Sequence, residues 1–202
     1  AMPITSLRGA LGGTTLQAQR YEQTLAHLAH WSSTVAEQQL TRFIDALSRA
    51  RRVAVFGLRN AYPVAMHLRL QLMQVRGQVQ LLPTPGQTLS EELVDLAPED
   101  LVVVVAFRRR PAIIRPLLEQ LQRQSVPVLM ISEPNVGSLQ ALVDWHLVCP
   151  LESVSAFDSY SAAMSLINLL SNALLHELLA SGRQRIHQIA DLYQQLEELE
   201  RR

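Results

Sequence analysis

Phe107-Arg108-Arg109-Arg110-Pro111 is the run in this 202-residue sequence with the clearest chemical potential. Each guanidinium is a permanently charged planar fork that matches a carboxylate or a phosphate. Three in a row make an anion trap if the fold gathers them at a site. The run follows directly on Leu101 to Phe107, whose four consecutive valines read as a strand covered on both faces. Pro111 is suited to the first turn of a following helix. Backbone N–H groups at a helix start attract anions as well. Pro116 lies one turn further on, so that helix must start late or kink. The plain alternative is a solvated turn with no ligand, and the position of the run in the fold decides between the two.

A second candidate is Gly57-Leu58-Arg59-Asn60-Ala61, after the apolar run Val53-Ala54-Val55-Phe56. Gly57 permits a tight turn off a strand. Arg59 can point into a site, and Asn60 either caps the next helix or contacts a ligand. Ser132-Glu133 ends another apolar run. Glu152, Ser153, Ser155, Asp158 and Ser159 follow the last one, where Asp158 or Ser159 is suited to cap a helix. The candidate ligand-binding set is therefore Arg59, Asn60, Arg108, Arg109, Arg110, Ser132, Glu133 and Ser155. No catalytic residue, metal ligand or cofactor is assigned. The six histidines show no metal spacing; His27 and His30 sit three apart on one helix and read as surface residues.

Composition excludes several chemistries. All 18 basic residues are Arg and none is Lys. That removes Schiff-base catalysis on lysine and the phosphate-binding P-loop. The single cysteine, Cys149, cannot form an internal disulfide or a cysteine zinc site, and reads as a small buried hydrophobe in a cytoplasmic protein. The formal net charge of zero argues against direct DNA contact by this chain. No signal peptide is expected from Met2-Pro3-Ile4-Thr5, and Ala1 before Met2 reads as a cloning remnant.

The elements that must position these residues follow from periodicity. Leu16 to Trp31 reads as a helix, interrupted by Ser32-Ser33-Thr34, with Thr34 and Glu37 in a capping-box pattern. A second helix runs to Arg52. Strands are expected at Val53–Phe56, Val79–Leu82, Leu101–Phe107, Val126–Ser132 and Trp145–Cys149. Helices are expected near 60–75, 89–96, 113–124 and 138–142, with Gly77 stopping the first. Alternation of this kind makes a three-layer α/β fold, a doubly wound sheet of five parallel strands in order 2-1-3-4-5. Its switch point lies between the first and third strands, so the loops at 57–61 and 107–111 are where a ligand belongs. Ser159 to Leu179 is apolar on two faces, but Ser161, Ser165, Asn168, Ser171 and Asn172 speak against a membrane span. After Gly182 a last helix carries Ile186, Ile189, Tyr193 and Leu196 at heptad-like spacing, which suits its own domain and an intersubunit seam equally.

With these elements in place the chain resembles the SIS (sugar isomerase) domain, and within it the C-terminal effector-binding domain of RpiR/MurR-family transcriptional regulators. The resemblance rests on Ala50-Arg51-Arg52-Val53-Ala54-Val55-Phe56-Gly57, the valine strand before the arginine turn, Ala156-Phe157-Asp158-Ser159-Tyr160-Ser161 and the long apolar helix. It covers about Leu16 to Leu199. It implies a sugar-phosphate ligand held by Ser and Thr hydroxyls in the first- and third-strand loops. Here Arg59, Asn60, Ala61 and Arg108 to Arg110 stand in those loops, so the expected ligand is a small anionic metabolite, either a sugar phosphate or a carboxylate.

The expected organisation is a linker over 1–15 and one SIS domain over 16–202. Within it lie N-terminal helices 16–50, an α/β core 51–150 and C-terminal helices 158–201. No helix-turn-helix domain is read in the chain, so DNA would be met only through such a domain elsewhere. The expected assembly is a homodimer or homotetramer without a membrane partner. An SIS-type isomerase is the alternative, with Glu91, Glu92, Glu133, Glu152, Glu177 or His187 as a conceivable base, none marked by spacing. A ligand-free assembly protein is the third reading.

Overall fold

The computed structural model describes residues 13–34, 37–154 and 156–198. Two helices, α1 (Gly13–Thr34) and α2 (Glu37–Arg49), precede strand β1 (Val53–Gly57). A 3₁₀ turn at Arg59–Ala61 leads into α3 (Tyr62–Val75). Then come β2 (Val79–Leu82), α4 (Leu89–Leu93), β3 (Leu101–Val105), α5 (Ile114–Arg123) and β4 (Val128–Ser132). A second 3₁₀ turn, Gly137–Leu142, precedes β5 (Trp145–Val148), and α6 (Ser161–Glu177) and α7 (Leu179–Gln195) follow. The strands form one sheet in the order β2-β1-β3-β4-β5, with every pairing parallel. Residue types and order thus gave the expected sheet.

β1, β3 and β4 are buried at every position. Their valines, isoleucine and leucines fit a pleat that packs on both sides, and alternate residues serve opposite layers. Val53, Val55, Val103 and Ile131 face α2, α3 and α6, meeting Phe43, Leu47, Leu68, Leu72, Leu166 and Leu170. Ala54, Phe56, Val102, Val104 and Met130 face α4 and α5, meeting Leu93, Leu117, Leu118 and Leu121. Cys149 lies completely buried just past β5, and burial pushes its thiol up to about 12, so it stays a neutral packing group.

Several expected boundaries move, each for a local reason. α1 runs on through Ser32-Ser33-Thr34 instead of breaking there; the expected Thr34 side-chain cap lies outside the described residues. α5 begins at Ile114, which puts Pro116 in the first turn, where a missing N–H costs nothing. Pro111 consequently lies in a turn before the helix, accepting from Ile114 N–H at 3.2 Å. α3, by contrast, ends at Val75 as expected, with Arg76 in extended conformation before Gly77. Gly182 does not begin α7. The chain bends by 109° between α6 and α7 at Leu178, and Gly182 is the buried residue where α7 crosses α3. A Cβ there would sit 3.1 Å from Leu175 Cδ1 and 3.2 Å from Val75 Cγ1. Among the described residues no single helix is long and apolar enough to cross a membrane.

The start of the sheet is tied by one buried carboxylate. Asp100, its side chain wholly buried, accepts from Arg51 Nε at 2.9 Å, Arg51 Nη2 at 2.7 Å, Arg52 Nε at 3.1 Å and the Ala97 N–H at 3.0 Å. Burial pushes the carboxyl up, but hydrogen bonds from Arg51, Ala97 and Arg52 outweigh it and hold it below its ordinary range. The Arg51-Arg52 pair thereby fixes the entry to β1 against the entry to β3.

Two predictions follow. Asp100→Asn should cost about 2 kcal/mol at neutral pH, the scale of a charged hydrogen bond. A lowered native pKa contributes stability above the ordinary carboxyl value, and that contribution is lost as pH falls through the native value. Urea unfolding across pH should therefore show the gap between wild type and variant narrowing as the pH falls below the ordinary carboxyl value of about 3.9. At Gly57, a Cβ would stand 2.7 Å from Ala65 Cβ and 2.8 Å from Ala61 O. Gly57→Ala should cost about 1–3 kcal/mol, because backbone must move to admit it. A variant as stable as wild type would show that α3 has room to shift.

Candidate functional site

The sheet reverses its winding between β1 and β3, and the loops leaving their carboxyl ends diverge there. They enclose a narrow cleft of ≈ 40 Å³. Arg59 and Asn60 come from the first loop, Phe107, Arg108, Arg109 and Pro111 from the second, and Asp158 closes it from the segment before α6. Gly57 makes this possible by close approach: without a Cβ it lets the 3₁₀ turn and α3 press against the strand end.

Arg59 and Arg109 both hold left-handed backbone, at φ 55° and 62°. Arginine rarely adopts this conformation. Such conformations concentrate at functional sites because the surrounding structure must enforce them. Both side chains are exposed at the cleft. Three guanidiniums against one carboxylate leave the lining with an excess of two positive charges. Asn60 does not cap: neither the 3₁₀ turn nor α3 carries a side-chain cap bond, and Asn60 lines the cleft instead.

The three arginines of the turn have different surroundings. Arg108 donates to Asp158. Arg110 turns away from the cleft, donating to Glu133, to Asn135 O at 2.8 Å and to Ala106 O at 3.4 Å. Arg109 remains at the cleft surface. Phe107 stacks at a tilt on Tyr160, with centroids 5.3 Å apart, so the arginine turn and the start of α6 are packed together.

Ser132 and Glu133 sit behind the cleft rather than in it. Ser132 is completely buried, with Oγ 2.9 Å from Glu133 O and 2.7 Å from His146 Nε2. Burial pushes the His146 imidazole below its ordinary value; Arg110 adds to this and Glu133 opposes it. The Glu133–Arg110 pair thus braces the arginine turn against the end of β4. Ser155 lies outside the described residues. So the structure brings Arg59, Asn60, Arg108 and Arg109 together and places Arg110, Ser132 and Glu133 in a supporting layer.

Two residues of this region carry more than their sequence suggested. Asp158 or Ser159 reads as the cap of α6, yet the cap position is Tyr160 and has no side-chain bond. His146 sits in an apolar strand pattern, and a polar side chain in such a strand was the available signal for a buried polar contact. His27 is likewise not a surface residue: its side chain is 14% exposed, with Nε2 4.0 Å from Glu152 Oε2. Among the described residues no cluster of three metal-ligating side chains occurs.

Comparison with known proteins agrees with this architecture. The sugar isomerase domain of an RpiR transcription factor from Sphaerobacter thermophilus superposes with TM-score 0.81 at 20% identity, covering 88% of this chain and 99% of that one. Vibrio vulnificus NanR, complexed with ManNAc-6P, gives 0.74 at 17% identity, covering 95% of this chain and 73% of that one. Phosphoheptose isomerase GmhA from Neisseria gonorrhoeae gives 0.63 at 11%, covering 80% and 96%. Regulators and isomerases thus share the fold. Among curated proteins none matches the sequence significantly. The SIS domain model matches residues 46–173, well over half of the sequence, and the chain belongs to the SIS domain family.

Proposed function

We propose that this chain is the ligand-sensing and self-associating domain of a cytoplasmic RpiR-type transcriptional regulator, and that its cleft takes a small anionic metabolite, a sugar phosphate or a carboxylate. The observation that carries this reading is the arginine-lined cleft at the switch point, held by two left-handed arginines. The similarity to the RpiR transcription factor domain and to NanR supports it.

The described lining of the cleft does not favour an isomerase. An isomerase moves a proton with a positioned base. Among the described residues lining the cleft the one carboxylate is Asp158, and it is engaged by Arg108; no histidine lines it. Glu91 and Glu92 line a different groove, beside β2. Glu133 is tied to Arg110 behind the cleft. Self-association is supported by the apolar side chains exposed at the two ends of the chain, Tyr21, Leu25, Leu192 and Leu196. DNA would be met through a helix-turn-helix domain joined to this one. Ligand-driven rearrangement of the pair would then change the spacing of two DNA-binding heads.

The test is a thermal-shift screen of the protein against phosphosugars, dicarboxylates and ureido acids. A ligand at one hundred times its dissociation constant stabilises the folded state by about 2.7 kcal/mol, a shift of several degrees. Arg108→Ala and Arg109→Ala should each abolish or sharply reduce it. A full shift in both variants places the ligand elsewhere.

A further inference from the structure

We infer that Asp158 is a built-in competitor for the anion site: its carboxylate occupies the Arg108 fork, and a ligand must displace it to bind. The inference rests on the anion-site reading above and specifies how that site is regulated.

Three observations carry it. First, Asp158 and Arg108 both line the cleft and are joined to each other across it, fifty residues apart in the chain. The group on Arg108 is thus chemically the kind the cleft is suited to receive, a carboxylate on a guanidinium. Second, the cleft is narrow, and Asp158 is the group that closes it from the segment before α6. Third, Asp158 does not cap the helix beside it. α6 is capped at Tyr160 without a side-chain bond, so the carboxylate is not retained to satisfy the helix start. Its side chain is 13% exposed, against 45% for Arg108. An acid this sheltered is costly unless paired, and the pairing partner is the arginine that the ligand also needs.

The exchange explains how occupancy is felt beyond the cleft. Asp158 lies two residues before Tyr160, which packs on Phe107 and leads directly into α6. An anion that takes Arg108 leaves Asp158 without its counter-charge in a sheltered position. The link between the arginine turn and the start of α6 must then rearrange until that carboxylate is hydrated or paired again. α6 in turn carries α7. A single swap of carboxylate for ligand at Arg108 therefore changes the helix that leads to the C-terminal surface.

The test uses the full chain and two probes, succinate and inorganic phosphate, measured by calorimetric titration in wild type, Asp158→Asn, Arg108→Ala and the double variant. Asp158→Asn keeps shape and removes the competing charge. It should bind at least one probe roughly tenfold more tightly than wild type, the worth of one charge-assisted hydrogen bond. That gain should vanish in the Arg108→Ala background; a gain that persists there is general electrostatics and overturns the inference. Equal or weaker binding by Asp158→Asn, including no binding by any variant, also overturns it. If Arg108→Ala weakens a probe while Asp158→Asn does not strengthen it, the anion site stands and only the competitor fails. If Arg108→Ala binds as wild type does, the site assignment fails with it. Should Asp158→Asn unfold, as judged by circular dichroism, Asp158→Ser answers the same question.

Discussion

The sandwiching of β3 sets the terms for everything else in the molecule. Its five residues are all buried, so helices must cover the sheet on both faces. With β1 beside it equally buried, the right-handed crossovers from the two strands go to opposite faces. α3 returns the chain to β2 on one side, and α5 carries it to β4 on the other. A crevice at the carboxyl ends of β1 and β3 is the unavoidable result. The valines of β3 thus determine where a site can be, while they take no part in its chemistry.

What fills the crevice is a matter of charge placed on strained backbone. Arg59 and Arg109 are both left-handed, one in each diverging loop. Neither conformation is intrinsically favourable for arginine, so both are held by their surroundings. Gly57 brings α3 close enough to fix the first loop. Arg110 fixes the second, through Glu133 and the carbonyls of Asn135 and Ala106. The arginine run therefore divides its work. One guanidinium anchors, one meets an internal carboxylate and one faces the cleft. Lysine could not replace the anchor, because a compact ammonium lacks the spread of fixed donors that reaches a carboxylate and two carbonyls together.

This division also explains which features could be read from the amino-acid order. β1, β3 and β4 announce themselves through unbroken β-branched and aliphatic runs, and the sheet order follows from alternation with helices. The cleft position follows from that order alone. The roles of Arg108, Arg109 and Arg110 do not, because three identical neighbours are distinguished only by distant partners, at Asp158 and at Glu133 and Asn135. Ser132 at the end of β4 reads as an edge residue, yet its hydroxyl meets His146 from the next strand. Gly182 reads as a helix break because glycine is a poor helix former; in the fold it is buried where α7 packs against Val75 of α3. In each case local propensity was overruled by a contact more than ten residues away.

Regulators and isomerases share this fold, and the proposed sensing role rests on the condition of the acidic group in the cleft. An acid–base residue must be free to exchange a proton with its substrate. Asp158 is instead engaged by Arg108 as its ion-pair partner. A counter-ion at the mouth of an arginine-lined cleft stores a preference: the empty state is electrostatically satisfied, and the occupied state must satisfy the same arginine with a different anion. Two states that compete for one guanidinium are what a sensor requires, since a ligand shifts an equilibrium only by the difference in its affinity for the two. The position of Asp158, two residues before the packed Tyr160 and the start of α6, puts that competition where a change of state can leave the cleft.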